Sequence, residues 1–144
     1  MKTGVMRKSI RIRNDIQALP SVSDFLEEVG DEMGLPPTLL MSLNLVVEEA
    51  VSNVIFYAYE KGTEVMDAVR LSVERLGEDL IVCVEDHGSA FDPTAQQDPD
   101  ITLCAEERPV GGLGIFLIKK LMDEVSYERR EGKNLFIMKK RITG

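Results

Sequence analysis

The stretch TLLMSLNLVVEEAVSNVIFYAY at residues 38–59 decides the predicted fold. At about 100° per residue, its apolar side chains form one broad arc along a helix. The arc comprises Leu39, Leu43, Val46, Val47, Ala50, Val54 and Ala58. Glu49 and Asn53 are four residues apart at the edge of this arc and share one helix face, whereas Glu48 points elsewhere. The stretch predicts a long core helix with a carboxylate and a carboxamide bordering a cleft.

Alternating and periodic patterns predict the other elements. Predicted strands lie at residues 9–13, 68–76, 79–85, 126–130 and 135–141, with turns at Gly77 and at 131–134. Predicted helices run from Ser21 or Ser23 to Met33, closed by Gly34, and from 113 to 125, with a helical turn capped by Asn14 or Asp15 and a loop at 93–110. This order predicts an α+β fold, a two-layer sandwich in which helices cover one face of a mixed, mostly antiparallel sheet.

Composition and charge narrow the class of protein. With 144 residues and 44% hydrophobic side chains, we expect a single domain over residues 1–144. The net charge of −8 is concentrated in the middle of the chain, which argues against direct nucleic-acid binding. The sequence has neither an apolar run of membrane-span length nor the apolar middle of a signal peptide. We therefore expect a cytoplasmic protein with no membrane contact.

The helix pair Glu49 and Asn53 has the chemistry of a metal-assisted site. A carboxylate in a cleft can accept a proton from a hydroxyl group. A carboxamide oxygen can bind Mg²⁺, which prefers oxygen ligands. The structural alternative is a solvated helix flank, because such pairs are common. Cys83 and Cys104 form neither a disulfide framework nor a zinc spacing, and a single histidine, His87, excludes Ser-His-Asp chemistry.

A second polar motif, DHGSAFDP at residues 86–93, follows an apolar strand. The Asp86 carboxylate can accept a hydrogen bond from the exocyclic amine of a base. Gly88 has no Cβ, so a flat ligand can approach its backbone. The structural alternative is an ordinary Asp-x-Gly turn, with His87 exposed.

A glycine-rich stretch, GGLGIFLI at residues 111–118, leads into an apolar helix. The unpaired N–H groups at such a helix start can hold an anion, and Gly111, Gly112 and Gly114 leave the backbone uncovered. The stretch is not a P-loop, because no Gly-Lys-Ser/Thr follows. The structural alternative is a flexible turn with a helix cap.

Together, the three motifs resemble, in this order, the N, G1 and G2 boxes of the GHKL (Bergerat-fold) ATPase and kinase superfamily. More narrowly, VVEEAVSNVIFYAY, VEDHGSAFDP and GGLGIFLIKKLMDEVSY resemble the anti-sigma-factor serine kinases of bacteria, over nearly the whole chain. One departure is Ala90, where the G1 box often has a second glycine, and it implies an altered loop shape rather than lost binding.

The resemblance implies a role for each motif residue. Glu49 would be the general base and Asn53 the Mg²⁺ ligand. Asp86 would read the adenine amino group and Gly88 would close on the base. The remaining implied ATP contacts are Tyr57, Gly112, Leu113 and Gly114, with residues 93–110 as the ATP lid. Arg108 in this lid has no assigned role.

The function implied by the resemblance is that of an ATP-dependent serine kinase. It would bind a sigma factor and phosphorylate a serine of a STAS-type anti-sigma-factor antagonist, and it would form a homodimer. The alternative is a nucleotide-gated binding module without transfer activity. A two-component histidine kinase is disfavoured, because His87 lies in the adenine-side motif. The predicted first strand is basic, with Arg7, Lys8, Arg11 and Arg13. These residues would contact an acidic partner or a second subunit; alternatively, they would protect a solvated sheet edge from aggregation.

Overall fold

Five strands and three helices make up the part of the chain that the computed structural model describes, residues 5–60, 62–95 and 112–142. The strands are β1 (Val5–Ile12), β2 (Val69–Leu76), β3 (Asp79–Asp86), β4 (Glu124–Arg130) and β5 (Lys133–Arg141). The helices are α1 (Leu19–Met33), α2 (Pro37–Tyr57) and α3 (Gly112–Leu121), with short 3-10 turns at Ile16–Ala18 and Pro93–Ala95.

The strands form one sheet in the order β1-β2-β3-β5-β4. Each of these four described pairings is antiparallel, so the sheet is not mixed as predicted, although the two-layer α+β class is confirmed. Tight turns explain two of these pairings, β2 with β3 and β4 with β5, since two-residue connections return a strand beside its neighbour. The β2–β3 turn uses Gly77 at φ 62°, and the β4–β5 turn uses Glu131 at φ 51° and Gly132 at φ 77°.

Helix α2 is the centre of the core, as predicted. All seven residues of its predicted apolar arc are buried. By length and hydropathy alone α2 would fit a membrane span, but much of its apolar surface packs against the sheet and α1 in the protein core. It begins at Pro37 rather than at residue 38. Proline is favoured in the first turn of a helix, because backbone N–H groups there have no acceptor within the helix and the N–H that proline lacks is not needed.

Helix α1 begins earlier than predicted, at Leu19 rather than after Ser21 or Ser23. Asp15 caps the preceding 3-10 turn by accepting a hydrogen bond of 2.9 Å from the Gln17 N–H, and that turn runs directly into α1. The Ser21 hydroxyl consequently donates to the Ala18 carbonyl instead of capping the helix. Gly34 ends α1 at φ 67°, as predicted.

The C-terminal boundaries also differ from the prediction. Helix α3 ends at Leu121 rather than at residue 125, because the Asp123 N–H already donates to the Lys139 carbonyl and begins the pairing of β4 with β5. Strand β5 begins at Lys133, so Asn134, predicted to lie in the turn, is in the strand and is buried at 3% exposure.

The basic first strand is partly neutralised within the chain. Lys8 forms hydrogen-bonded ion pairs with Glu32 and Glu28 of α1. Both hydrogen bonds raise the pKa of Lys8, and the bond with Glu32 has the larger effect. Arg13 lies 3.5 Å from Asp15. Two of the four cations of this segment therefore have acidic partners on the protein itself.

Cys83 is half-buried. It alternates along β3 with the core residues Val82 and Val84, so it lies on the sheet face away from the helices. Burial raises the pKa of its thiol to about 11. Cys83 is therefore a neutral thiol at physiological pH.

Tyr59 connects the chain after α2 to the sheet by hydrogen bonds, and this role predicts an effect on stability. Its hydroxyl donates to the Ala68 carbonyl over 2.5 Å and accepts from the His87 N–H over 3.2 Å. We expect Tyr59→Phe to lower the free energy of unfolding by about 1–3 kcal/mol, because the buried Ala68 would lose its hydrogen bond. Urea denaturation measures this change.

Tyr57→Phe is the matched control for this variant. Within the described residues the Tyr57 hydroxyl makes no hydrogen bond, and its ring is partly exposed. Its removal should change the free energy of unfolding by less than about 0.5 kcal/mol. Equal stabilities of the two variants would contradict the role assigned to the Tyr59 hydroxyl.

Candidate nucleotide site

The first two sequence motifs meet in one pocket between α2 and the end of β3. Asn53 and Asp86 both line it, although only 9% of Asn53 and 3% of Asp86 are exposed. The other lining residues are Ala50, Val54, Phe91, Pro93, Tyr127, Asn134 and Phe136. The fold therefore brings a buried carboxamide and a buried carboxylate from distant parts of the chain to the same cavity.

The two carboxylate oxygens of Asp86 have different surroundings. Oδ1 accepts a hydrogen bond of 2.9 Å from the Gly88 N–H and one of 2.8 Å from Nδ2 of Asn134. Oδ2 makes no hydrogen bond to any residue of the described ranges. Burial raises the pKa of the Asp86 carboxyl, and the hydrogen bond from Asn134 acts in the opposite direction. One oxygen is thus held by the protein and the other is left for a ligand that donates a hydrogen bond.

The third motif meets the first through Glu49 and Gly114. A Cβ atom built on Gly114 would overlap Oε2 of Glu49, so the half-buried carboxylate lies directly against the first turn of α3. Glu48 is exposed and lines a different groove, between α1 and α2. The two neighbouring glutamates consequently serve separate surfaces of the protein.

Gly88 is required by the packing of backbone against backbone. A Cβ atom at this position would overlap the carbonyl group of Ala58, just beyond the end of α2. The same carbonyl accepts a hydrogen bond of 2.7 Å from the Ser89 N–H. A glycine at position 88 therefore lets the end of α2 lie directly on the turn that follows β3, and this packing needs the glycine even without a ligand.

An aromatic pair includes one of the residues that line the pocket, Phe91. Tyr57, 38% exposed, stacks on Phe91 with ring centroids 5.5 Å apart and planes inclined by 25°. Phe91 and the buried Pro93 line the pocket, whose free volume is about 20 Å³. Ligand pockets for small molecules usually enclose about 300–1,000 Å³. The pocket that contains Asp86 is therefore nearly filled, with Phe91 and Pro93 among the residues that line it.

Part of the predicted site lies outside the described residues. Gly111 and residues 96–110 of the predicted lid, which include Arg108, belong to this part. Of the remaining lid, Pro93–Ala95 forms a 3-10 turn instead of the predicted loop. Gly112, Leu113 and Gly114 lie within the first turn of α3, which begins one residue before the predicted start at Leu113. His87 is exposed, as predicted.

Sequence reasoning missed five residues that border the pocket or contact its polar groups: Phe91, Tyr127, Arg129, Asn134 and Phe136. None of them has a clear signal in the sequence. Residues 135–138 form a continuous apolar run, so the alternation that puts Asn134 on the core face is seen only in the burial along β5.

Comparison with known proteins identifies the family. The profile of the histidine kinase-like ATPase domain matches residues 12–140. The chain is 29% identical over 96 residues to the serine/threonine-protein kinase BtrW of Bordetella bronchiseptica, covering 67% of this chain and 66% of the relative. It is 30% identical over 145 residues to the serine-protein kinase RsbW of Bacillus velezensis, covering 96% of this chain and 88% of the relative.

A solved structure shows the same fold. The structure of the RsbU and RsbW domains of a Mycobacterium tuberculosis protein superposes with a TM-score of 0.69 at 16% identity, covering 95% of this chain and 32% of that chain. The chain spans just under two thirds of the length of the Bordetella relative. The profile match over residues 12–140 and the arrangement of α2, β3 and α3 agree: the chain belongs to the family of histidine kinase-like ATPase domains.

Proposed function

We propose that this chain is an ATP-dependent protein serine kinase and that Glu49 is its general base. The observation that carries the proposal is the position of the Glu49 carboxylate, which lies against Gly114 at the start of α3. One turn along α2, Asn53 lines the pocket that also contains Asp86. A proton acceptor therefore lies one helical turn from a pocket that contains a hard oxygen ligand and a hydrogen-bond acceptor for a base. The names of the two kinase relatives support the same activity.

The adenine end of the nucleotide would bind at Asp86. Adenine presents an amino group as a donor, whereas guanine presents a carbonyl oxygen at the equivalent position. Oδ2 of an ionised Asp86 would accept a hydrogen bond from the adenine amino group and would repel the guanine oxygen. Asp86 would therefore select ATP over GTP.

The phosphate end would bind at the start of α3. The first N–H groups of a helix have no acceptor within it, and the helix dipole places partial positive charge there. Gly112 and Gly114 contribute no side chains to cover these groups. The start of α3 therefore suits a polyphosphate, as helix N-termini with glycines do elsewhere.

Asn53 has the properties of a Mg²⁺ ligand. Its carboxamide lines the pocket and makes no hydrogen bond within the described residues. Those residues contain no cluster of three His, Cys, Asp or Glu side chains that could hold a metal by themselves. Mg²⁺ in kinases commonly has few protein ligands and is bound by phosphates and water as well, so a single carboxamide fits. When bound, the ion would neutralise charge on the phosphates.

Glu49 would act on the nucleophile. As the substrate serine oxygen bonds to the terminal phosphorus, the bond from that phosphorus to the ADP oxygen breaks and the serine proton passes to the Glu49 carboxylate. Phosphoryl transfer depends mainly on positioning and on charge stabilisation, to which a general base adds. Contact with the first turn of α3 holds Glu49 beside the place where the phosphates would end.

The partners follow from the resemblance to anti-sigma-factor serine kinases. We propose that the chain binds a sigma factor and phosphorylates a serine of a STAS-type antagonist, as a homodimer in the bacterial cytoplasm. Residues 1–144 would act as one ATP-binding domain, with 93–110 as its lid. A pull-down in ATP and in ADP, followed by identification of the bound proteins, tests this assignment.

The general-base role predicts a specific loss of transfer. Glu49→Gln should lower the rate of phosphoserine formation by roughly 10²–10⁴-fold, because an amide cannot accept the serine proton. ATP affinity should stay close to that of the wild type. The assay uses radiolabelled ATP and candidate STAS-type antagonists. Glu48→Gln is the matched control, because Glu48 lies in the groove between α1 and α2.

Two outcomes would contradict this assignment in different ways. If Glu49→Gln binds ATP and transfers phosphate at the wild-type rate, Glu49 is not the base. If the wild type binds ATP but phosphorylates none of the antagonists that it captures, the chain is a nucleotide-gated binding module instead.

The closed pocket predicts an effect on affinity. Phe91 stacks on Tyr57 and occupies space beside Asp86, so ATP must displace its ring. Phe91→Ala should raise ATP affinity by about 2–10-fold, the equivalent of the roughly 0.5–1.5 kcal/mol of an aromatic pair. Titration calorimetry measures this, with the exposed Phe56→Ala as control. A weaker affinity of Phe91→Ala would show that the ring contacts the nucleotide rather than competing with it.

A further inference from the structure

Asp86 belongs to a row of polar residues that crosses three adjacent strands. Asp86 of β3 pairs in register with Asn134 of β5, and Asn134 pairs with Arg129 of β4. Residues in register on neighbouring strands have their side chains side by side on one face of the sheet. The row therefore runs from the buried end of β3 to β4 at the edge of the sheet.

The Asn134 amide is fully hydrogen-bonded. Its nitrogen donates to Oδ1 of Asp86 and to the Ser89 carbonyl, both over 2.8 Å. Its oxygen accepts from the Tyr127 hydroxyl over 2.5 Å and from the Arg129 guanidinium over 3.0 Å. Because a guanidinium can only donate, the amide oxygen must face Arg129 and the nitrogen must face Asp86. The orientation of Asn134 is thus determined from the edge of the sheet.

Arg129 also contacts the turn directly. The guanidinium nitrogen that bonds Asn134 donates to the Gly88 carbonyl over 2.9 Å. Asn134 and Arg129 together hold the carboxylate of Asp86 and the carbonyls of Gly88 and Ser89. The turn that follows β3 is consequently held through the Asp86 side chain and through the backbone carbonyls of Gly88 and Ser89.

We propose that Asn134, oriented by Arg129, is a positioning residue that directs Oδ2 of Asp86 toward the adenine amino group and thereby sets the preference for ATP over GTP. The inference rests on the proposed function, in which Asp86 reads the base. Asn134 lines the pocket, but both its N–H groups are already bonded to Asp86 and Ser89, so it acts through the carboxylate. Because Asn134 occupies Oδ1 together with the Gly88 N–H, only Oδ2 is left for a ligand.

The proposal has a consequence for the pH dependence of ATP binding. The charged and titratable groups around Asp86 are Arg129 and His87, which lower its pKa, and Tyr59, whose own pKa is raised mainly by burial and also by Asp86. Adenine needs the ionised carboxylate, so affinity falls as the pH falls through the pKa of Asp86. Since the hydrogen bond from Asn134 lowers that pKa, its removal moves this loss of affinity to higher pH.

The central experiment compares Asn134→Val with Asn134→Thr. The two side chains have nearly the same shape and both suit a strand, but only threonine carries a donor. At neutral pH, Asn134→Val should weaken ATP binding about tenfold or more. It should also raise the KM for ATP with little change in kcat, narrow the ATP-to-GTP affinity ratio, and lose ATP binding at a higher pH than the wild type. Asn134→Thr should recover part of each change.

Arg129→Gln tests the same network from the exposed edge of the sheet, where folding is least at risk. We expect a smaller weakening of ATP binding in the same direction. Arg130→Gln is its matched control, because Arg130 is exposed on the same strand and pairs with Glu128 over 2.5 Å. Its ATP affinity and its ATP-to-GTP ratio should equal those of the wild type.

Three results would overturn the proposal. A folded Asn134→Val with wild-type ATP affinity, ATP-to-GTP ratio and pH profile would show that Asn134 positions nothing. A loss of affinity that is equal for both nucleotides and at every pH, with no recovery in Asn134→Thr, would mark a purely structural role. A wild type that binds neither nucleotide would overturn the proposed function and this inference with it.

Discussion

The contact between the end of α2 and the turn after β3 is the constraint on which the site depends. The last carbonyls of a helix have no partner within it, and here the Ala58 carbonyl is satisfied by the Ser89 N–H over 2.7 Å. The glycine at position 88 lets the two backbones approach closely enough for this bond. The contact joins the helix that carries Glu49 and Asn53 to the segment that carries Asp86. Moving it would separate the two halves of the pocket.

A single helix supplies polar groups to two unrelated surfaces because its apolar arc is broad. The arc is buried by the sheet and by α1, which leaves only its edges for polar side chains. Asn53 lies at the edge beside β3, and Glu49 reaches the first turn of α3. Glu48 is turned about 100° away and meets α1 instead. The different surroundings of the two adjacent glutamates are therefore a consequence of helix geometry.

Features confined to one element were predictable from the sequence, and those that depend on pairing between elements were not. The apolar arc of α2 and the separation of Glu49 from Glu48 follow from helical periodicity alone. The neighbours of Asp86 depend on the β3–β5 register, and a shift of one residue would turn Asn134 to the other face. The end of α3 was misplaced for a similar reason, since Val125 fits a helical pattern equally well but pairs with Met138 across β4 and β5. Arg129 reaches the site only through that register.

The two ends of the segment from Asp86 to Pro93 are held by different interactions. Asp86, Gly88 and Ser89 are held by hydrogen bonds from Asn134 and Arg129 and by the Ala58 carbonyl; the bond from Asn134 to Asp86 is buried, whereas the bond from Arg129 to Gly88 is exposed. Phe91 is held mainly by its stacking on Tyr57, an interaction worth only about 0.5–1.5 kcal/mol beyond its buried area. A ligand that gains more than this can displace Phe91 while Asp86 stays in place. Under the proposed function, selection of the base at Asp86 and opening of the pocket at Phe91 would thus be separated along one short segment, so a mutation could change how readily the pocket opens without changing which base it prefers.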